Sequence, residues 1–240
     1  MPVALHVTPR PMHANDGANE DVMAEITAKM IKELRDATGA PMGDCKKALI
    51  ESEGDHKAAN EWLQKKNAAN ATKKSGRTAA EGVISSYLHH DGRTGVLVEV
   101  NAETDFVAKN ETFQQFARDV AMQIAALSPI YVSPDEIPAD VIATQREIFE
   151  AQVREMGKPE NLVPRIAEGK LKAWFAESCL LDQPFVKDEK GRALRDVLIE
   201  MIGKIGENLV IRRFVRFELG EGIEKKADDF AAEVARMAGN

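Results

Sequence analysis

Apolar residues recur along this chain with two different spacings, and the spacing divides it into helices and strands. Most segments place apolar side chains three and four positions apart, which gives a helix one buried face. Residues 82–89 and 94–101 instead alternate or are rich in β-branched side chains, and the Asp-Gly pair between them favours a hairpin. Residues 208–218 also alternate, so we expect them to pair with that hairpin. The pattern predicts an α+β core, in which a three-stranded antiparallel sheet has helices on one face.

Residues 23–66, which we call the three-helix module, carry three short apolar stripes. Thr27, Asp44 and Asp55 are placed to cap the first, second and third helices, because their side-chain oxygens can accept from free backbone N–H groups. Three short helices form only a small core, and a unit of this size is marginally stable alone. Residues 27–77 have 11 basic and 7 acidic side chains, a net charge of +4. This charge would suit an acidic partner, although a solvated basic surface is the simpler interpretation.

Two further segments have their own patterns. Residues 67–77 contain one Ala-Ala pair and one Lys-Lys pair but no apolar stripe, which predicts a basic linker with some helical character. Residues 133–180 carry two narrow apolar stripes separated by Gly157 and Pro159, each close to a seven-residue repeat. They predict a helical hairpin that either protrudes as an antiparallel coiled coil or folds back as ordinary core.

The two ends of the chain differ from each other. Residues 1–22 contain three prolines and no hydrophobic period, so we expect disorder, and they could be a leader ahead of a natural start at Met23. Residues 221–240 have one apolar helical face, which must pack on the core or on a partner. The predicted organisation is an extension (1–22), the three-helix module (23–66), a linker (67–77), the α+β core (78–132 and 181–220), the helical hairpin (133–180) and a C-terminal helical module (221–240).

Composition and motifs exclude several classes of protein. A net charge of −7 and a pI near 5.4 disfavour nucleic acid as the main ligand. No apolar run is long enough to cross a bilayer and no apolar signal region is present, so we expect a cytoplasmic protein, or an organellar one in a eukaryote. The sequence lacks the common phosphate-binding loops, zinc-protease motifs and nucleophile elbows. We therefore expect no catalytic site, no cofactor, no metal site and no direct nucleotide binding.

The two cysteines do not suggest a functional site. Cys45 and Cys179 are far apart in the sequence and form no CxxC motif, so neither a zinc site nor a redox pair is predicted. Both are expected to be reduced apolar fillers. A disulfide between two chains stays open as an alternative.

The best candidate site is the stretch 101–110, NAETDFVAKN, which we call the Asp-Phe turn. It lies between the second predicted strand and a helix with a long apolar stripe, so two rigid elements would hold it in place. Thr104 can cap the helix, which leaves Asp105 in the first turn, where the helix dipole favours a carboxylate. On the pattern alone, Phe106 would more commonly pack beneath its own helix.

Residues 104–108 (TDFVA), which follow the strand end EVN, resemble the signature of the elongation factor Ts family. Two other strings agree in collinear order: 34–49 (LRDATGAPMGDCKKAL) resembles the N-terminal module of the family, and 216–222 (RFELGEG) resembles the end of its core. The resemblance extends from about Met23 to the C-terminus. It implies a guanine-nucleotide exchange factor for elongation factor Tu, with a ubiquitin-associated-like (UBA-like) N-terminal module that docks on the GTPase domain.

The same resemblance implies roles for the Asp-Phe turn. Asp105 and Phe106 would displace Mg²⁺ from the nucleotide site of elongation factor Tu, as Phe106 enters an apolar slot between helices of that GTPase. Thr104 and Val107 would fix the geometry of the turn. The C-terminal module would contact elongation factor Tu, and the helical hairpin would serve dimer or partner contacts.

The chain departs from the longer family members in two ways. Only one half of the duplicated core is present, so a second copy of the chain could complete it, and a homodimer is left open. Gln123 also lies where some members have a histidine, which puts that secondary contact in doubt. Two other functions stay as alternatives: a ribosome- or RNA-associated protein without exchange activity that uses its basic N-terminal module, and a ubiquitin-type binding scaffold.

Overall fold

Residues 26–223 are described by the computed structural model, and they divide into two units, each assembled from three segments of the chain. The predicted N-terminal extension (1–22) lies outside the described residues, as does the predicted C-terminal helix from residue 224 onward. The first unit contains residues 26–82, 101–108 and 190–210, and the second contains residues 83–100, 109–189 and 211–223.

The first unit begins with the three predicted helices, α1 (Ala28–Thr38), α2 (Met42–Glu51) and α3 (His56–Lys74). The predicted caps of α1 and α3 are confirmed: Thr27 accepts from the N–H of Met30, and Asp55 accepts from the N–H groups of Lys57 and Ala58. The predicted cap of α2 is wrong, because α2 already begins at Met42 and Asp44 lies in its first turn. The shared core consists of Leu34, Ala40, Cys45, Ala48, Leu49, Ala59 and Leu63.

Residues 67–74, expected to belong to a linker, instead continue α3 to Lys74. They pack on α8 (Leu194–Ile205), and the contact depends on a glycine. A Cβ atom added at Gly203 would lie 2.4 Å from Oδ1 of Asn67. The missing side chain therefore lets the two helices approach closely. At this contact a glycine of α8 therefore lies against a polar side chain of α3, and neither residue belongs to an apolar stripe.

The predicted sheet is confirmed, and most of it belongs to the second unit. Strands β1 (Glu81–Leu88), β2 (Thr94–Ala102) and β3 (Val210–Glu218) form an antiparallel sheet in the order β1-β2-β3. The Asp-Gly turn forms as predicted: Oδ1 of Asp91 accepts from the N–H of Arg93, and Gly92 has a φ of 67°. Glycine tolerates this left-handed conformation because it has no Cβ.

The two faces of β2 differ in exposure. Val96, Val98 and Val100 are buried, whereas Leu97 between them is 48% exposed. Leu88 is 71% exposed and lies next to Gly95, on the same face as Leu97. β1 and β3 add further exposed apolar side chains, which are Ile84, Val215 and Phe217.

Helices supply the remaining core of the second unit. In α5 (Glu111–Leu127) the predicted stripe is buried, comprising Phe113, Phe116, Ala117, Val120, Ala121 and Ile124. The predicted helical hairpin consists of α6 (Ala139–Glu155) and α7 (Val163–Ser178), which pack on each other. Arg146 pairs with Glu168 and Gln152 with Lys170. Only residues 156–162 connect the two helices, and because consecutive packed helices with so short a connection must reverse direction, they run antiparallel.

Candidate functional site

The Asp-Phe turn contains its own short helix, α4 (Asp105–Ala108). The Thr104 carbonyl accepts from the N–H of Ala108 at 3.2 Å, and the Thr104 hydroxyl lies 3.4 Å from the N–H of Val107. Thr104 therefore caps α4 and not, as expected, the long helix. That helix, α5, has its own cap in Asn110, whose Oδ1 accepts from two backbone N–H groups.

The aromatic ring of the turn is exposed. Phe106 is 81% exposed, whereas Ala108 is only 9% exposed, and Asp105 and Val107 are partly buried. The interpretation that Phe106 packs beneath its own helix is therefore wrong. An aromatic side chain exposed to this degree costs free energy in water and gives the fold little packing in return. Its position is suited to contact with another molecule.

Polar contacts from a distant segment fix the backbone of the turn. The carboxylate of Glu207 accepts from the Thr104 N–H at 3.1 Å and from the Thr104 hydroxyl at 2.7 Å. The carboxylate of Glu103 accepts from the backbone N–H of Asn208 at 2.6 Å and lies 3.5 Å from the guanidinium of Arg77. The Asn208 side chain in turn donates to the carbonyl of Arg77 at 2.8 Å. All of these contacts belong to the first unit.

Glu207 and Asn208 were not found by reasoning from the sequence. They lie more than 100 positions from their partners, and hydrogen-bonding pairs at that separation leave no periodic signal. The only local hint is Gly206, which ends α8 in a left-handed conformation with a φ of 87° and turns the chain toward Glu207.

Gln123 is part of the core of the second unit and has no exposed surface for a partner. Its Nε2 donates to Oε1 of Gln183 at 3.2 Å and to the Pro184 carbonyl at 3.1 Å, and its Oε1 accepts from the Val186 N–H at 2.9 Å. Because its polar atoms are satisfied internally, the residue tethers the segment 183–186 to α5.

Cys45 and Cys179 are both buried and form no disulfide with each other. The thiol of Cys45 lies 3.5 Å from the carbonyl of Ala40, and burial raises the pKa of this thiol. A raised thiol pKa disfavours the nucleophilic thiolate. Cys45 therefore behaves as a core side chain of the three-helix module.

Other chemical features of the described residues are few. Within residues 26–223, no three His, Cys, Asp or Glu side chains are grouped so that they could hold a metal ion. Across the same range, no helix has the length and apolar character that a membrane crossing requires. A cavity of about 510 Å³ in the first unit has both basic and acidic side chains in its wall, and two of these, Arg192 and Glu200, pair with each other at 2.7 Å.

The fold and the Asp-Phe turn define a protein that presents an anchored, exposed aromatic residue on an α+β scaffold. Comparison with known proteins agrees with the resemblance noted in the sequence. The family model described as Elongation factor TS matches residues 18–193. The chain therefore belongs to the elongation factor Ts family.

Individual relatives match over nearly their whole length. The chain is 55% identical to Elongation factor Ts of Anaeromyxobacter sp. (strain Fw109-5), covering 90% of this chain and 99% of the relative. It is 56% identical to Elongation factor Ts of Desulforamulus reducens, covering 89% and 98%. It is 57% identical to Elongation factor Ts of Carboxydothermus hydrogenoformans, covering 88% and 96%.

Proposed function

We propose that this protein is a guanine-nucleotide exchange factor of translation elongation, which binds elongation factor Tu·GDP in the cytoplasm and promotes exchange of GDP for GTP. Membership of the elongation factor Ts family supports the proposal. The structural observation that supports it best is that Phe106 is 81% exposed on a turn whose backbone is fixed by hydrogen bonds between Thr104 and Glu207. The factor needs no catalytic site of its own for this task.

Exchange follows from differential binding to the GTPase. An exchange factor binds the nucleotide-free GTPase more tightly than the GDP-bound form. Because coupling between two ligands is reciprocal, its binding weakens the affinity of the GTPase for GDP by the same ratio. The contacts that matter are therefore those made only when the nucleotide site is disturbed. Residues that merely hold the two proteins together change the affinity without changing the rate of GDP release.

Asp105 and Phe106 are the residues that we propose disturb the nucleotide site of elongation factor Tu. Mg²⁺ in a nucleotide site needs a near-octahedral shell of oxygen ligands and tolerates little displacement. Phe106 enters an apolar slot of elongation factor Tu and, with Asp105, displaces the elements that hold Mg²⁺. A buried aromatic anchor of this kind contributes about 2 to 4 kcal/mol at an interface. Thr104 and Val107 keep the two residues in position.

The remaining elements provide docking surfaces. The three-helix module, as a UBA-like fold, binds the GTPase domain, and the net charge of +4 over residues 27–77 suits an acidic surface there. The helical hairpin serves as a coiled-coil contact, and the C-terminal module over 221–240 adds a further contact to elongation factor Tu.

A homodimer would cover the exposed apolar residues of the sheet. Ile84, Leu88, Leu97 and Phe217 are each between 48% and 72% exposed, and they come from all three strands. In a two-fold symmetric dimer the same surface patch of each chain packs against that of the other, so two copies could cover these residues together. Sedimentation equilibrium tests this assembly: Phe217→Asp should convert a wild-type dimer into a monomer, and a monomeric wild-type protein would contradict it.

The release of GDP from elongation factor Tu tests the exchange function. Elongation factor Tu loaded with a fluorescent GDP is mixed with excess unlabelled GDP in a stopped-flow instrument, with and without this protein. We expect a faster loss of fluorescence that saturates as the protein concentration rises. If the protein did not accelerate GDP release and bound RNA in a salt-sensitive way, the exchange function would be contradicted and an RNA-associated role would be favoured.

The same assay tests the magnesium step. If displacement of Mg²⁺ is the disturbance, removal of Mg²⁺ with EDTA should raise the unassisted release rate and reduce the acceleration that the factor provides. An acceleration that is equally large in EDTA and in millimolar Mg²⁺ would contradict this step while leaving exchange itself intact.

A further inference from the structure

We propose that Glu207 is a positioning residue for nucleotide exchange, which holds the Asp-Phe turn in its active conformation through Thr104. This inference rests on the proposed exchange function. It concerns a residue outside the Asp-Phe turn, 103 positions from Thr104, that contacts the turn through side-chain hydrogen bonds.

The Asp-Phe turn needs support from outside itself. Its helix, α4, has only four residues, and a single helical turn is unfavourable alone because several backbone angles are fixed for one hydrogen bond. Phe106 is 81% exposed and therefore cannot anchor the turn by packing. Groups that hold the backbone before α4 therefore contribute to the direction of Phe106.

Glu207 and Glu103 provide this support in a reciprocal arrangement. Residues 103–104 and residues 207–208 are crosslinked in both directions. Glu207 accepts from the N–H and the hydroxyl of Thr104, and Glu103 accepts from the N–H of Asn208. Hydrogen bonds to a carboxylate are stronger than neutral ones. Two such crosslinks, at neighbouring positions, fix both the place and the orientation of the backbone at the start of α4.

The segment that contains Glu207 is itself held in place on both sides. Gly206 ends α8 in a left-handed conformation, and its N–H donates to the carbonyl of Ile202 at 2.9 Å. Asn208 and Leu209, which follow Glu207, are 3% and 2% exposed. Glu207 is thus held between a capped helix and two buried residues that precede β3, so its carboxylate has a fixed position relative to Thr104.

A fixed turn matters for the rate more than for docking. The other modules can bind elongation factor Tu whatever the turn does, but GDP release requires Phe106 to enter its slot in one orientation. If the turn samples several conformations, only a fraction of the bound factor is competent. Loss of the Glu207 contact should therefore lower the GDP release rate at saturating factor and leave the dissociation constant of the complex nearly unchanged.

The test compares Glu207→Gln with the matched control Glu200→Gln. Glu200 lies on helix α8, where its carboxylate pairs with Arg192 at 2.7 Å. In the stopped-flow assay we expect Glu207→Gln to reduce the saturating GDP release rate about tenfold, as it would if roughly a tenth of the bound factor held the turn in the competent conformation. Glu200→Gln should release GDP at the wild-type rate. Amide hydrogen exchange should show faster exchange at residues 104–108 in Glu207→Gln only.

Variants of Thr104 show whether Glu207 acts through this residue. Thr104→Ser keeps the hydroxyl and should preserve the rate, whereas Thr104→Val keeps the shape, loses the hydroxyl and should be slow. The double variant Thr104→Val with Glu207→Gln should be no slower than Thr104→Val alone, because both changes disrupt the hydrogen bond between the Thr104 hydroxyl and Glu207, and Thr104→Val also removes the hydroxyl that caps α4. If Glu207→Gln fails to fold, the comparison of Thr104→Val with Thr104→Ser still shows whether the hydroxyl that donates to Glu207 is required.

Each result has a definite meaning. Slow Glu207→Gln and Thr104→Val variants, with unchanged affinity, support the inference. A wild-type release rate in Glu207→Gln, or equal rates in Thr104→Val and Thr104→Ser, would overturn it while wild-type activity keeps the exchange function in place. Failure of the wild-type protein to accelerate GDP release would instead overturn the exchange function itself.

Discussion

The three-helix module and the Asp-Phe turn are held in place by different kinds of interaction. The module has an apolar core formed by residues close in the sequence, with caps at Thr27 and Asp55. The turn has an exposed aromatic ring and is held by polar contacts to residues more than 100 positions away. Local apolar packing supplies stability, whereas the long-range polar contacts place one side chain. Changes in the two regions should therefore affect different measurements.

Removal of a core side chain from the module should have the largest effect on stability. Leu49 is fully buried among α1, α2 and α3, and Leu49→Ala should lower the free energy of unfolding by about 2 to 5 kcal/mol. Chemical denaturation followed by circular dichroism measures this change. Met42 in the same helix is 54% exposed, so Met42→Ala should change stability by less than about 0.5 kcal/mol. Equal effects of the two variants would mean that the module has no specific core.

A smaller effect is expected where α3 meets α8. Gly203→Ala would place a Cβ atom 2.4 Å from Oδ1 of Asn67, so the helices must separate or Asn67 must turn away. We expect a loss of about 1 to 3 kcal/mol in the free energy of unfolding, which denaturation would measure. Gly169 in α7 has open space around it, and Gly169→Ala should raise the free energy of unfolding by up to about 1 kcal/mol. A stabilising effect of Gly203→Ala would contradict the close approach of these helices.

The smallest effect concerns a helix cap and depends on pH. The backbone N–H groups of Ala58 and Lys57 donate to Asp55 and lower the pKa of its carboxyl below the ordinary value of 3.8. Because the folded-state pKa is the lower one, the stabilisation is fully present above pH 3.8 and is lost as the pH falls through the folded-state pKa. Asp55→Asn keeps a capping oxygen but does not titrate. Thermal unfolding at several pH values should show the two proteins converging in acid, and a constant difference would contradict this prediction.

The same contrast explains which features the sequence could predict. The helices of the module, the stripe of α5 and the three-stranded sheet follow from apolar spacing and turn residues, which are local signals. The sequence predicts only some helical character within a linker for residues 67–77, and not the packing of this part of α3 on α8, because the contact involves Gly203, far away in the sequence. Such a contact leaves no trace in the periodicity of either helix.

The sequence predicts where the Asp-Phe turn lies, but it does not predict the long-range hydrogen bonds that hold the turn. The motif at 104–107 located the turn, but the contacts of Thr104 with Glu207 and of Glu103 with Asn208 appear only in the folded structure. The separate helix α4 was also missed, because the capping signal at Thr104 was assigned to the long helix and that of Asn110 was overlooked. Two caps six positions apart are the local signal that could have revealed the break.

The proposed role of Phe106 in the release of GDP from elongation factor Tu is tested most directly by a comparison of Phe106→Ala with Ile130→Ala. Ile130 is also exposed, at 66%, and has no assigned role. At saturating factor, Phe106→Ala should release fluorescent GDP at least about tenfold more slowly than the wild type, a change of about 1.4 kcal/mol, with an unchanged melting temperature. Ile130→Ala should match the wild type. A wild-type release rate in Phe106→Ala would contradict this role.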